Sequence, residues 1–192
     1  MKLLIATHNN KKKVELQRIL SPLGIEVVTA EDIGCKLRDV EETGTTFEEN
    51  SYIKAKAVFD FCHLPALADD SGLMVDCLGG APGVYSARYA GEQHSTPANN
   101  ALLLKNMDGK LDRKAKFVSV VTLIKEDGSV ITARGETFGS ILTKPRGTNG
   151  FGYDPLFFSD DLGVSFGEAS QGEKDKVSHR ARALAALAEK LG

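Results

Sequence analysis

The sequence contains no tryptophan and only three cysteines among 192 residues. Cys35, Cys62 and Cys77 are odd in number, far apart and without a closely spaced histidine. That excludes a disulfide framework or a zinc site as the organising feature, and three reduced thiols are expected. Long apolar runs are also missing. Met1 to His8 is apolar over too few residues for a signal-peptide core and no later run could span a bilayer, so no membrane contact and a cytoplasmic location are expected. Excess charge of one sign is missing too. With 24 basic and 26 acidic residues the formal charge is -2, which gives a nucleic-acid backbone no general reason to bind but leaves a single nucleotide compatible. There is no tandem repeat or low-complexity tract, and the longest basic run is Lys11-Lys12-Lys13.

What remains is a chain of 42% hydrophobic and 26% charged residues, expected to fold as a single domain over residues 1–192. Leu3 to Ala6 reads as a short buried strand. Leu16, Ile19, Leu20 and Leu23 then recur at helical spacing, with a stop near Pro22. Glu26 to Ala30 is a second strand. Thr45 and Thr46 each precede a glutamate by three residues, the capping-box pattern of a helix running to about Cys62, on which Phe47, Lys54, Val58 and Phe61 share a face. Lysine in an apolar stripe implies a buried stem with its ammonium entering a cleft. Pro65 to Ala68 is a short strand ending on Asp69-Asp70-Ser71-Gly72. Phe117 to Ile124 and Val130 to Ile141 are strands joined by an Asp127-Gly128 turn. Ser178 can cap a last helix striped by Leu184, Leu187, Ala188 and Leu191, with Arg180 one turn earlier and pointing inward. Alternating strands and helices give an α/β class, and the hairpin makes the sheet mixed.

Four constellations carry chemistry. Thr7-His8-Asn9-Asn10-Lys11-Lys12 sits where a strand gives way to a helix N-terminus, a place where free backbone N–H groups and the helix dipole favour phosphate. It lacks the glycines of a Walker loop, and by spacing alone a solvated basic turn competes with a phosphate cradle. Glu41-Glu42 and Asp69-Asp70 are adjacent acids whose repulsion a hard divalent cation would relieve, although surface charge is the alternative. Gly147 to Pro155 is a glycine-rich loop presenting Phe151, Tyr153 and Asp154, either to a base or into the core. Lys174 and Ser178-His179-Arg180 put cations at a helix start, where an anion or polar ligand would help explain them.

Ordered along the chain, Ala6-Thr7-His8-Asn9 with Lys12, Glu41-Glu42-Thr43-Gly44, Glu49-Asn50 with Lys54-Ala55, Ala68 to Leu73, Leu78 to Tyr89, Gly150 to Pro155 and Ser178-His179-Arg180 are similar to the motifs of the Ham1-like inosine triphosphatase family, also called XTP/dITP diphosphatases. The resemblance spans nearly the whole chain. It implies an elongated mixed β-sheet flanked by helices, two lobes with the active cleft between them, a homodimer and Mg2+. It implies hydrolysis of ITP, dITP and XTP to the monophosphate and pyrophosphate, against the alternative of a non-catalytic purine nucleotide sensor. By position, Thr7, His8, Asn9, Asn10, Lys11 and Lys12 would hold the triphosphate with help from Lys54. Glu41 and Asp70 would bind metal, with Glu42 the other candidate beside Glu41. Asp70 would also be the general base, with Ser71 on the substrate. Phe151, Gly152, Tyr153, Asp154, Lys174, His179 and Arg180 would surround the base. Glycine is common in the family where Lys11 and Asn149 stand, and Asn149 can still adopt a left-handed conformation. Arg180, a donor only, suits the 6-keto oxygen of inosine, and Asp154 suits its N1–H.

Overall fold

Residues 2–7, 9–35, 40–91 and 94–191 are described by a computed structural model. The first strand, β1 (Lys2–Ile5), leads into α1 (Asn10–Leu20), which Asn9 caps by accepting from the backbone N–H groups of Lys11 and Lys12. The expected stop near Pro22 takes the form of a short 3-10 turn, Ser21–Leu23, ended by Gly24 at φ 71°. This turn leaves Leu23 exposed and off the buried stripe. After β2 (Glu26–Thr29) comes α2 (Phe47–Cys62), where Thr46 and Glu49 form the capping box. Of the face expected on α2, Phe47 and Val58 are buried while Phe61 is exposed.

The strand expected to stop at Ala68 instead continues as β3 (Ala66–Val75), so Asp69 and Asp70 lie in mid-strand. Their carboxylates are buried because charged partners flank the strand, a circumstance that hydrophobic patterning does not reveal. The remaining elements are α3 (Thr96–Asn106), β4 (Lys114–Ile124), β5 (Val130–Ile141), β6 (Phe157–Ser159), α4 (Gln171–Val177) and α5 (His179–Leu191). Among the described residues the six strands form one mixed sheet in the order β2-β1-β3-β4-β5-β6. The pairs β1/β2 and β1/β3 are parallel and β5/β6 is antiparallel.

The chain divides into two compact units. The first comprises residues 1–70, 119–135 and 180–192, and the second residues 71–118 and 136–179. Boundaries therefore fall within β3, β4 and β5 and at the first residue of α5. In the first unit, Ile5 and Leu67 pack with Leu16 and Leu20 of α1 and Leu184 and Leu187 of α5. Leu4, Ala66 and Ala68, from the alternate positions of the same strands, pack with Ala55 and Val58 of α2. This alternation puts Asp69 on the side of α1 and α5, and Asp70 on the side of α2. The second unit has its own core, in which Phe117, Phe157 and Phe166 pack with Leu103, Met107 and Tyr153.

Candidate active site

The two mid-strand aspartates organise the first unit's chemistry. Asp69 Oδ2 accepts from Arg180 Nε at 3.1 Å and pairs with Lys12 Nζ at 3.3 Å. Burial would raise the Asp69 carboxyl, but Lys12, Arg180 and Lys54 together hold it well below the usual carboxylate range. Arg180 is only 2% exposed, and its Nη1 donates to Glu15 Oε2 at 3.0 Å. The inward direction expected for Arg180 thus ends on two carboxylates. Across the strand, Asp70 Oδ1 accepts from Lys54 Nζ at 2.8 Å, and the same ammonium donates to Glu42 Oε1 at 2.8 Å.

Burial pushes the Asp70 carboxyl upward against the pull of Lys54 and Lys12. Burial also disfavours the Lys54 ammonium, yet Asp70, Asp69 and Glu42 outweigh it and keep Lys54 above its ordinary value. For Lys12, burial wins over Asp69 and lowers it. Two buried oxygens, Asp69 Oδ1 and Asp70 Oδ2, have no hydrogen-bond partner in the structure. Such atoms are costly to desolvate and invite a cation, a water or a proton.

At the N-terminus of α1, Asn9 Oδ1 accepts from Lys11 N at 3.0 Å and Lys12 N at 3.3 Å, while Asn9 N donates to Thr7 Oγ1 at 3.1 Å. The expected free N–H groups are therefore partly satisfied within the turn. Asn9, Asn10 and Lys11 are exposed, Thr7 is half-buried, and His8 lies outside the described residues.

The second unit carries a separate buried pair. Lys174 Nζ donates to Asp154 Oδ2 at 2.7 Å, and the ammonium lies 5.0 Å from the Phe151 ring and 5.5 Å from that of Phe166. The same carboxylate oxygen accepts from Phe151 N at 2.9 Å, closing the loop on itself. Lys174 is placed by α4, which begins with a capping box of Ser170 and Glu173 that the sequence reading did not single out. Tyr153 turns into the core, donating from its hydroxyl to Ser86 O at 2.7 Å, so of the loop's two aromatics only Phe151 stays half-exposed. Asn149 is not in the left-handed region. Its side chain instead donates to Ala169 O at 3.0 Å. His179 is buried and stacks on Phe117 at 4.9 Å, and Ser71 is half-buried in β3.

The Ham1 family profile matches residues 3–190. The chain belongs to the Ham1 family. It is 50% identical over 187 residues to the dITP/XTP pyrophosphatase of Exiguobacterium sp., an alignment covering 97% of this chain and 95% of that one. It is also similar to the solved Ham1 protein of Staphylococcus aureus, with 38% identity, a TM-score of 0.87 and coverage of 100% of this chain and 98% of the other. A HAM1 protein structure from Coxiella burnetii is similar at 37% identity and a TM-score of 0.88, again covering 100% and 98%.

Within this Ham1 fold, Lys12, Lys54 and Asp70 come together in one charged cluster, and Phe151, Asp154 and Lys174 in another. Glu41 is exposed, and it is Glu42 that reaches Lys54. Sequence reasoning missed Glu15 and Asn99, and gave Ser86, inside the motif from Leu78 to Tyr89, no role. Glu15 adjoins Leu16 on the buried stripe of α1, a charge in an apolar face comparable to Lys54. Ser86 and Asn99 explain the motif from Leu78 to Tyr89. Ser86 Oγ accepts from Leu73 N at 2.9 Å and Asn99 Nδ2 donates to Ala87 O at 2.9 Å, fixing the segment that receives the Tyr153 hydroxyl.

Proposed function

We propose that this Ham1 protein hydrolyses non-canonical purine nucleoside triphosphates, ITP, dITP and XTP, to the monophosphate and pyrophosphate. The observation that carries this reading is Asp70. The residue is 5% exposed, one carboxylate oxygen is held by Lys54, and the other has no hydrogen-bond partner in the structure. The Asp70 carboxylate accepts a proton from water as that water's oxygen forms a bond to the α-phosphorus. The bond from that phosphorus to the bridging oxygen breaks, and pyrophosphate leaves with its electron pair. Its upward displacement by burial makes Asp70 a stronger base than a solvated carboxylate. Lys12 and Lys54 supply countercharge to the triphosphate, with Thr7, Asn9, Asn10 and Lys11 at the neighbouring helix start and Ser71 beside the base.

The donor set suits a hard divalent ion. The Asp69 and Asp70 oxygens without a hydrogen-bond partner are hard carboxylate donors, a chemistry that suits Mg2+. Asp70 and Glu42 would hold it; Glu42 is preferred to Glu41 because it already faces Lys54. Bound there, the ion would offset phosphate charge and make water more acidic. For the purine, Lys174 supplies a donor for the 6-keto oxygen and Asp154 an acceptor for N1–H, while Phe151 offers a face to the ring and His179 lies in the same unit. Adenine reverses both polarities, leaving buried groups unmatched. The enzyme is expected to be cytoplasmic and homodimeric, and among the described residues no helix is long and apolar enough to cross a membrane.

The test is pyrophosphate release by purified protein from a panel of purine triphosphates with Mg2+. Monophosphate and pyrophosphate from ITP, with slow turnover of ATP, is the expected result. Diphosphate and phosphate as products would refute the chemistry, and tight ITP binding without turnover would favour the nucleotide sensor.

A further inference from the structure

Glu15 is a buried carboxylate to which the proposed chemistry gives no part. It is 2% exposed on α1, three residues after Lys12. Desolvating such a group beside an arginine is expensive, and replacing a buried ion pair by apolar side chains is often neutral or stabilising. Leu16 and Leu20 show that the same helix face accepts apolar residues. Stability alone therefore does not account for Glu15.

Its contacts form a circuit. Glu15 Oε2 accepts from Arg180 Nη1 at 3.0 Å, Arg180 Nε donates to Asp69 Oδ2 at 3.1 Å, and Asp69 Oδ2 pairs with Lys12 Nζ at 3.3 Å. Lys12 and Glu15 are one turn apart on the same helix, so the chain of contacts starts and ends on α1. The rigid guanidinium fork lets one side chain meet two carboxylates in fixed directions, which an ammonium does not do. Glu15 thereby fixes one end of the Arg180 guanidinium, whose Nε meets the same Asp69 oxygen that Lys12 pairs with. The geometry points to Glu15 as a positioning residue that orients the phosphate-binding ammonium of Lys12 through Arg180 and Asp69. It rests on the phosphate role proposed above for Lys12. It also gives Arg180 a part at the phosphate end.

The inference makes a sign prediction that simple charge counting reverses. Removing a negative charge near a polyanion site should by itself tighten anion binding. If Glu15 instead positions Lys12, its loss weakens binding. The probe is inorganic tripolyphosphate, titrated calorimetrically without metal into folded wild type, Glu15→Gln, Lys12→Ala and the double variant, with folding monitored by thermal denaturation. Glu15→Gln is expected to weaken tripolyphosphate about tenfold. In the Lys12→Ala background the same change should cost less than twofold, because the group being positioned is gone. Arg180→Lys keeps the charge but loses the fork, and should weaken binding in the same direction. It serves as the reporter if Glu15→Gln does not fold. Unchanged or tighter binding in these variants, or a full effect of Glu15→Gln without Lys12, would overturn the proposal. Absence of ITP hydrolysis by wild type would sink the proposed activity while leaving the tripolyphosphate comparison readable.

Discussion

Replacing Lys174 by methionine removes an ammonium whose side chain is 5% exposed, bonded at 2.7 Å to an Asp154 side chain that is 3% exposed. Breaking a buried pair by deleting one partner costs about 3 to 5 kcal/mol, because the other charge stays buried. The two phenylalanine rings near the ammonium, Phe151 and Phe166, lose a cation–π contact but gain a thioether beside them, which returns roughly 0.3 to 1.5 kcal/mol. The net loss should be about 2 to 4 kcal/mol, a fall in Tm of roughly 4 to 16 °C for a chain of this size. Adding Asp154→Asn should recover most of that loss, since the amide oxygen still accepts from Phe151 N and no buried charge is left over. Function should not recover with stability. With the donor proposed for the 6-keto oxygen gone, the ratio of kcat/KM for ITP to that for ATP should fall at least about tenfold in both variants. Calorimetric unfolding and the two specificity constants are the measurements. A loss under about 1 kcal/mol would refute the buried-pair reasoning, and an unchanged ratio in the stable double variant would remove Lys174 from base reading.

Asp70→Asn should lower ITP turnover by about a hundredfold or more while retaining nucleotide binding, and turnover above a tenth of wild type would end its role as base. Asp69→Asn leaves Arg180 and Lys12 facing a neutral group and should cost about 3 to 5 kcal/mol at neutral pH. Because the folded Asp69 pKa is depressed, its contribution is complete above the unfolded value near ~3.9 and is lost as pH falls through the folded value. The stability gap between wild type and variant, read from denaturant unfolding, should therefore shrink on acidification, and a constant gap would contradict the pairing. Gly150→Ala adds a Cβ that runs into the Asp154 carboxylate at a left-handed φ of 72°, whereas Gly152, at φ 62°, has open space. Both changes pay about 1 to 2 kcal/mol of backbone strain, so Gly150→Ala should destabilise more and alone disturb ITP selection; equal effects would show that the Asp154 contact does not matter.

Where local rules suffice, the fold is visible in the residues. Thr46 with Glu49, the Asp127-Gly128 turn and the span from Val130 to Ile141 all follow from capping, turn chemistry and β-propensity, and each stands as expected. The end of β3 was not visible, because an aspartate pair reads as the close of a strand until its partners are known. Those partners, Lys12, Lys54 and Arg180, come from three helices far apart in sequence. The same limit hid which of Glu41 and Glu42 turns toward Lys54. It also hid the part of Arg180. Its inward direction followed from Leu184 one turn on, but the acceptors it would meet, Glu15 and Asp69, depended on how α1 and β3 pack against α5.

The charge balance around β3 explains why the chain tolerates such an expensive core. Three cations, Lys12, Lys54 and Arg180, face four carboxylates, Glu15, Glu42, Asp69 and Asp70. A cluster built for stability would have no reason to leave two buried carboxylate oxygens without a protein hydrogen-bond partner, since each costs about 1 to 3 kcal/mol. Nor would it place the carboxylates immediately after Ala66-Leu67-Ala68, where the strand has shown that apolar residues fit. A cluster built to receive a bare polyphosphate would not carry an excess of negative charge. Both difficulties vanish if the bound state brings a divalent cation together with the phosphates, because the dry oxygens then gain a partner and the acid excess becomes a requirement. On the proposed function, the stability given up in the free protein would be the condition for discriminating, on binding, between a metal-bound triphosphate and other anions.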